Sequence, residues 1–378
     1  MIGCWIVGAG GCVASCVVAL YALIKEGAVP PTGLLTAQDK FSHLFEDADI
    51  VFGGHDIAPP QPQKSFALVM QAAQKEGLIP YAEPHLKDYA NNIKRGFAYK
   101  QEAEGGLNDV VGRLADDIGA FKKKAGAEQV VVFNLATTEP QPRRIPQDEA
   151  EVKAAFEEGE LPESAIYALA AYEAGCAYVN FTPSVGCYLP PVTEKFEEGG
   201  LPFAGRDGKT GETLIKTALA HLFSVRAFNV LSWVGFNILG NPDGKSLSEP
   251  HRKAAKCATK GASLQRLLGY APDSLVGIEF VKPLGDRKIA WDHILFEGAF
   301  GTRMSLSFLW EGVDSVLAAP IIIDLVRFAA LALRRHESGY LRHLALFFKD
   351  VPPDAPQHLL EQFQALLDYA EKVSNGGD

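Results

Sequence analysis

Lysine is the residue type on which this sequence concentrates reactive chemistry. From His251 to Pro272 there is no Asp or Glu, yet Arg252, Lys253, Lys256, Lys260 and Arg266 fall there, in a chain of formal net charge −10. Lys253, Lys256 and Lys260 are spaced i, i+3, i+7. They would share one face of a helix running from about Pro250 to Leu268, with Ser248 as N-cap and Gly269 past its end. A solvated helix face usually interleaves Glu with Lys. A basic run without acids, in an acidic protein, reads instead as a place that holds an anion. A second basic loop, Lys282-Pro283-Leu284-Gly285-Asp286-Arg287-Lys288, follows closely.

The elements that must position these lysines are legible on both sides. Ile2 to Val7 is a short apolar strand, followed by Gly8-Ala9-Gly10-Gly11-Cys12-Val13-Ala14 and a helix to about Lys25. A strand that feeds a glycine turn and then a helix is the dinucleotide-binding arrangement, with the helix N-terminus presented to a pyrophosphate. A merely tight strand-helix turn would read the same way, since the small third residue comes one position late, at Ala14. Asp49 to Ile57 is a second strand ending in Asp56, which would bond a ribose hydroxyl or cap its own loop. Gln129 to Leu135 is a buried strand that runs into Ala136-Thr137-Thr138-Glu139. Helix Glu163 to Ala174 and strand Ala177 to Phe181 continue the alternation, which argues for a doubly wound parallel sheet. Gly205-Arg206-Asp207-Gly208-Lys209-Thr210-Gly211-Glu212-Thr213 then opens a helix to about Phe223, a polar loop suited to a phosphate or a nicotinamide ribose.

Beyond Arg226 the pattern changes. Ala227–Phe236, Ser274–Val281, Lys288–Leu295 and Thr302–Trp310 read as antiparallel strands interrupted by the lysine helix. The expected organisation is a Rossmann-type α/β domain from residues 1–212 and 316–378, with an inserted α+β domain at residues 213–315. Val316 to Leu333 is strongly apolar, but Pro320, Asp324 and Arg327 interrupt it and Ile321, Leu325, Phe328 and Leu331 recur at helical spacing. It reads as an amphipathic core helix and not as a membrane span.

Composition bounds the function classes. Hydrophobic residues at 47% and charged residues at 22% are ordinary for a globular chain of 378 residues. The acidic balance argues against non-specific nucleic-acid binding. Six cysteines without a CxxC pair imply reduced thiols in a cytoplasmic protein, and the N-terminus lacks a signal-peptide pattern. The scattered histidines point to no metal site.

In their order, these stretches resemble the myo-inositol-1-phosphate synthase (inositol-3-phosphate synthase) family over almost the whole chain. The resemblance rests on Val7 to Gly11 with Ala14, on Phe52-Gly53-Gly54-His55-Asp56-Ile57, on Val131 to Glu139 and on Gly205 to Thr213. It continues through Asn237-Ile238-Leu239-Gly240-Asn241-Pro242-Asp243-Gly244, Lys282 to Asp286 and Asp314 to Pro320. It implies NAD-dependent conversion of glucose 6-phosphate to an inositol phosphate, in a homotetramer joined through the sheet of the inserted domain. C5 is oxidised, an enolate forms at C6 and attacks the C1 aldehyde, and the retained NADH reduces C5 again. By the same resemblance, Lys256 and Lys282 serve proton transfer and the C5 oxygen, while Lys260 and Lys349 serve the phosphate or the C1 oxyanion. Asp207, Asp243 and Asp314 orient the lysines. Gly8, Ala9, Gly10, Gly11, Asp56, Ile57, Ala136, Thr138, Asp207 and Thr210 line NAD, and Lys209 and Asn241 join the lysines around the substrate. A monovalent or divalent cation is left open.

Three departures bear on the substrate. The loop after the strand at Ala177 reads Phe181-Thr182-Pro183-Ser184-Val185, the usual Asn-Asn-Asp is Asn241-Pro242-Asp243, and Thr137 stands for an Asn. They leave open another sugar phosphate, such as fructose 6-phosphate. An ordinary NAD dehydrogenase or a non-catalytic NAD-binding protein would share the glycine turn.

Overall fold

The computed structural model describes residues 1–46, 49–99, 105–240, 264–265 and 267–376. Its first half is built from β1 (Ile2–Val7), α1 (Cys12–Lys25), α2 (Asp39–Ser42), β2 (Ile50–Asp56), α3 (Pro62–Ala73), α4 (Ile79–Ala90) and β3 (Ile93–Arg95). Then come α5 (Leu107–Ala125), β4 (Gln129–Asn134), α6 (Glu149–Glu157), α7 (Glu163–Glu173), β5 (Ala177–Asn180), α8 (Pro190–Glu198) and β6 (Pro202–Gly205). The rest is α9 (Glu212–Val225), β7 (Asn229–Leu239), β8 (Asp273–Phe280), β9 (Arg287–Glu297), β10 (Arg303–Val313), α10 (Asp314–Arg334), β11 (Gly339–Tyr340) and α11 (Leu359–Ser374).

Seven strands pair in the order β11-β6-β5-β4-β1-β2-β3, parallel throughout. The α/β class expected from the alternation is the one observed. From β1 the chain winds outward through β2 on one side and through β4 on the other, so a crevice opens at the carboxyl ends of β1 and β4. β1 and β4 are buried almost end to end because helices cover both faces, which is why they read as continuous apolar runs. β3, β6 and β11 are edge or near-edge strands of two to four residues, too short to leave a pattern.

α10 crosses the back of this sheet, against α1, β1, β4, β5 and β6. It is long and apolar enough to span a membrane, with a mean hydropathy of 2.2, yet most of it is buried inside the protein. Asp324 interrupts its apolar face and is 1% exposed. It accepts from Leu35 N at 2.8 Å, Thr36 N at 2.9 Å and Thr36 Oγ1 at 2.6 Å, which ties the helix to the loop after α1. Burial pushes this carboxyl up to about 6, against the pull of those donors.

The second sheet has the order β10-β9-β7-β8, and here one expectation fails. β7 pairs antiparallel with β9, and β9 with β10, but β7 and β8 are parallel, with Trp233 opposite Ser274. Parallel neighbours need a long crossover, and residues 240–272 supply it. Apart from its last turn, the lysine helix expected there lies outside the described residues. α9 closes the inner face of this sheet through a separate core of Ala220, Phe223, Val230, Trp233, Leu264 and Ile294.

Candidate active site

The turn after β1 is held on all sides. Gly8 N and Ala9 N donate to His55 O, at 2.9 and 3.0 Å, and Gly10 N donates to Asp56 Oδ2 at 2.7 Å. Ser65 Oγ donates to Gly10 O at 2.8 Å and Tyr89 Oη to Ala9 O at 3.0 Å. Gly8 has φ +86°, and a Cβ there would stand 3.0 Å from the Ala136 backbone, so the loops after β1 and β4 touch at the crevice. Gly11 precedes α1 without a side-chain cap, and the positive end of a helix at the carboxyl end of β1 favours an anion. With Asp56 at the tip of β2, these groups fit the ribose and pyrophosphate of NAD. Ile57 and Thr138 are exposed at the mouth, while Ala136 and Thr210 are partly covered. The fit is to the character of the crevice: a helix N-terminus, an acid beside it, and glycines that keep the turn close.

His55 supports this turn from beneath. It is fully buried, accepts from Trp5 Nε1 on Nδ1 at 3.0 Å, and faces Asp117 Oδ2 through Nε2 at 3.3 Å. That pairing leaves Nδ1 without a proton and holds the ring where its backbone carbonyl can serve the glycine turn.

The loop after β6 is laced to the segment before α11. Arg206 N donates to Asp350 O (3.0 Å), Asp350 N to Arg206 O (3.2 Å), Lys349 N to Asp207 O (2.7 Å) and Lys209 N to Phe347 O (2.8 Å). Asp207 occupies the left-handed region at φ +59°, a strained conformation for a residue with a Cβ. Lys349 Nζ donates to Asp207 Oδ1 at 2.7 Å, with 28% of the lysine side chain exposed. Burial alone would lower the Lys349 pKa, but Asp207, Asp314 and Glu212 outweigh it and hold the amine above its ordinary value.

A second lysine–aspartate pair comes from the other sheet. Lys288 Nζ on β9 lies 3.7 Å from Asp314 Oδ2, at the first residue of α10. Asp286 Oδ2 accepts from Ser315 N at 3.2 Å and so fixes the start of that helix. Lys282, the lysine singled out in sequence, is exposed on a short 3-10 turn; the lysine beside Asp314 is Lys288. Two residues before Leu239, the partner of Lys288, Asn237 lies on the same inner face. It is 2% exposed, and among the described residues neither its amide nitrogen nor its oxygen has a hydrogen-bond partner. Buried amides are rarely left so, which makes Asn237 a candidate site residue. Sequence reading passed over Asn237 and Lys288, although both stand inside the quoted motifs; strand parity would have grouped them.

Deeper on the same face lies a buried ion cluster. Lys216 Nζ is 2.6 Å from Glu212 Oε1 and 2.8 Å from Asp292 Oδ1, and Trp233 Nε1 donates to that Asp292 oxygen at 2.8 Å. Gly235 makes the room, because a Cβ there would lie 2.6 Å from Asp292 Oδ1 and 2.8 Å from Lys216 Nζ.

Lys209 is 4% exposed and donates to Gln362 Oε1 at 2.8 Å. A cavity lined by Lys209, Glu212, Lys216, Phe348, Lys349 and Gln362 joins these groups. Of the departures noted in sequence, Thr182 and Ser184 are buried within the protein: Thr182 Oγ1 donates to Asn180 Oδ1 at 2.8 Å, and Asn180 Nδ2 to Ser184 O at 2.7 Å. Lys256, Lys260, Asn241 and Asp243 lie outside the described residues. Among the described residues no group of three or more His, Cys, Asp or Glu stands together to hold a metal.

A family profile described as myo-inositol-1-phosphate synthase matches residues 2–368. Inositol-3-phosphate synthase 1 of Bacteroides thetaiotaomicron is 30% identical over 402 residues, spanning 94% of this chain and 91% of that protein. Inositol-3-phosphate synthase 1-A of Xenopus laevis is 31% identical over 307 residues, 76% of this chain but 54% of that protein. The Drosophila melanogaster inositol-3-phosphate synthase is matched over 44% of its length, so this chain spans about half of the animal relatives. Among solved structures, the Caenorhabditis elegans inositol-3-phosphate synthase superposes with a TM-score of 0.86 at 22% identity, covering 100% of this chain and 86% of that one. A myo-inositol-1-phosphate synthase-related protein from Thermotoga maritima gives a TM-score of 0.76 at 23% identity, with 98% of each chain covered. At those identities the structural likeness speaks for the fold alone.

Proposed function

This chain belongs to the myo-inositol-1-phosphate synthase family, and we propose that it cyclises glucose 6-phosphate to 1D-myo-inositol 3-phosphate, with NAD reduced and reoxidised within one turnover. The observation that carries this reading is the pair of lysine–aspartate contacts, Lys349–Asp207 and Lys288–Asp314, contributed by the two halves of the fold. Asp314 acts on Lys349 as well, so the two pairs share one electrostatic neighbourhood. A carbocycle closes only if negative charge can grow on two oxygens in turn, and preorganised ammonium groups stabilise it where it grows.

When bound, NAD supplies the hydride acceptor and donor. The chain's own residues do the rest. Gly8 to Gly11 and Asp56 seat the dinucleotide. Lys349, kept cationic by its carboxylate, and Lys288 face the developing oxyanions, and the amide of Asn237 meets a sugar hydroxyl. Lys256, Lys260 and Asp243 complete the set by resemblance, with the phosphate as the ligand of the acid-free run. Lys288, more than Lys282, takes the place beside Asp314.

The test is to incubate the protein with NAD and glucose 6-phosphate, following absorbance at the NADH band and products by phosphorus NMR. A cyclic phosphate with no net NADH is expected. Stoichiometric NADH would replace this reading with a simple dehydrogenase, and turnover of fructose 6-phosphate alone would keep the chemistry and change the substrate.

A further inference from the structure

Lys209 is held unlike the other described lysines of the site. Lys349, Lys288 and Lys216 each face a carboxylate, which demands an ammonium. Lys209 has a neutral partner. Gln362 Nε2 donates to Pro356 O at 2.9 Å and to Gln357 O at 3.4 Å, so the amide is oriented with its oxygen toward Lys209 Nζ. An amide oxygen can accept from –NH3+, more strongly, and also from –NH2. The amine can therefore lose a proton without losing its anchor, and its lone pair is then free toward the cavity it shares with Lys349.

One neighbouring charge favours that loss. Lys349 stands beside it as ammonium, compensated by Asp207. From α9 come Glu212 and Lys216, whose ammonium lies between Glu212 and Asp292, two carboxylates to one cation. From the segment leading into α11 come Gln357 and Gln362, both uncharged, while His358 rests against His221. Burial, then Lys349, lowers the amine to about 8.

We propose that Lys209 is the proton acceptor of this cavity, with Lys349 its fixed cationic neighbour and Gln362 its positioning residue. This deepens the function proposed above and rests on it. In the step assigned, the C–H bond beside the newly formed ketone breaks and an N–H bond forms at Lys209 Nζ. The released electron pair moves onto the ketone oxygen, which an ammonium stabilises. Lys209 returns the proton to the alkoxide left by ring closure, and so regains its starting state.

Two readouts separate this role from the function it rests on. In the full chain saturated with NAD and labelled with 13C at lysine Cε, the resonance that vanishes in Lys209→Arg should titrate near 8. Gln362→Glu supplies a carboxylate and should raise that midpoint by about one unit or more. Should that variant not fold, Lys349→Met removes the neighbouring cation and should also raise it. In turnover of glucose 6-phosphate, the rising limb of kcat against pH should follow the same midpoint and shift with it in Gln362→Glu. Lys209→Arg keeps a cation that cannot accept the proton, and should lower kcat on the order of a hundredfold with little change in KM. A limb that stays put while the NMR midpoint moves would overturn the role, as would wild-type kcat in Lys209→Arg or a Lys209 midpoint near the ordinary lysine value. A wild-type protein that turns over no hexose phosphate would sink the function itself, a result distinct from each of these.

Discussion

At the scale of single residues, the site works by giving each lysine a different kind of company. Lys288 and Lys282 lie six positions apart, but one faces Asp314 and the other faces water. Lys288→Ala is therefore expected to lower turnover roughly a hundredfold or more, in the range for losing one oxyanion-stabilising donor. Lys282→Ala should change it by much less, and steady-state kinetics of the two variants would reverse the assignment if the order came out the other way. Lys209 makes a prediction about stability as well. Unfolded, it holds its proton up to an ordinary value of 10.5; folded, it holds it only to about 8. Between those values the unfolded chain binds the extra proton, so stability rises with pH across that window, and the full cost of the buried charge is felt below it. Lys209→Met is expected to stabilise the protein by on the order of 2 kcal/mol at pH 7. Melting curves should show the gain fading toward pH 10.5, and a gain indifferent to pH would mean that burial of the charge is not its cause.

At the scale of elements, α9 is bolted to the second sheet by ions as well as by its apolar face. Lys216→Met would leave Glu212 and Asp292 buried without their cation, a change that costs about 3–5 kcal/mol when one partner of a buried pair is lost. Chemical denaturation should register the loss directly, and a variant as stable as the parent would mean that the two carboxylates share a proton instead. This is also the scale at which sequence and structure can be compared. β1, β2 and β4 with α1 and α7 were legible almost to the residue, because buried parallel strands and apolar helices leave strong patterns. The parallel pairing of β7 with β8 was not, because a strand's own residues do not record which way its neighbour runs. Nor were β3, β6 and β11, whose two to four residues owe their conformation to the sheet they join. In the site, the glycine turn stood out by type and spacing, whereas Asp207 and Lys349 came forward through the resemblance. Gln362 did not, because a glutamine on a C-terminal helix becomes informative only when it is seen to be 2% exposed and aimed at a lysine.

At the scale of the whole molecule, the outer face of the second sheet carries an apolar row across three strands. Leu309 on β10 lies opposite Trp291 on β9, which lies opposite Phe236 on β7; Leu309 is 60% exposed and Trp291 42%. Such a stripe on an open sheet is an interface in waiting, and a second copy of this chain is the occupant we propose, within a homotetramer. Light scattering should give four times the chain mass, and Trp291→Glu with Leu309→Glu should give smaller species; a monomer in the parent protein would retire the idea. The order of the elements also sets a timetable. α10 and β11 complete the first sheet and its core, yet they follow the whole of the second sheet in the chain. During synthesis at 5–20 residues per second, roughly 15–60 s separate the emergence of β1 from that of the helix that must cover it. Until then the first sheet lacks the helix that covers its back, and β7 to β10 have all been made by the time that helix begins. The protein is thus assembled from the inside of its sequence outward, and its most aggregation-prone moment falls before its last sixty or so residues have been made.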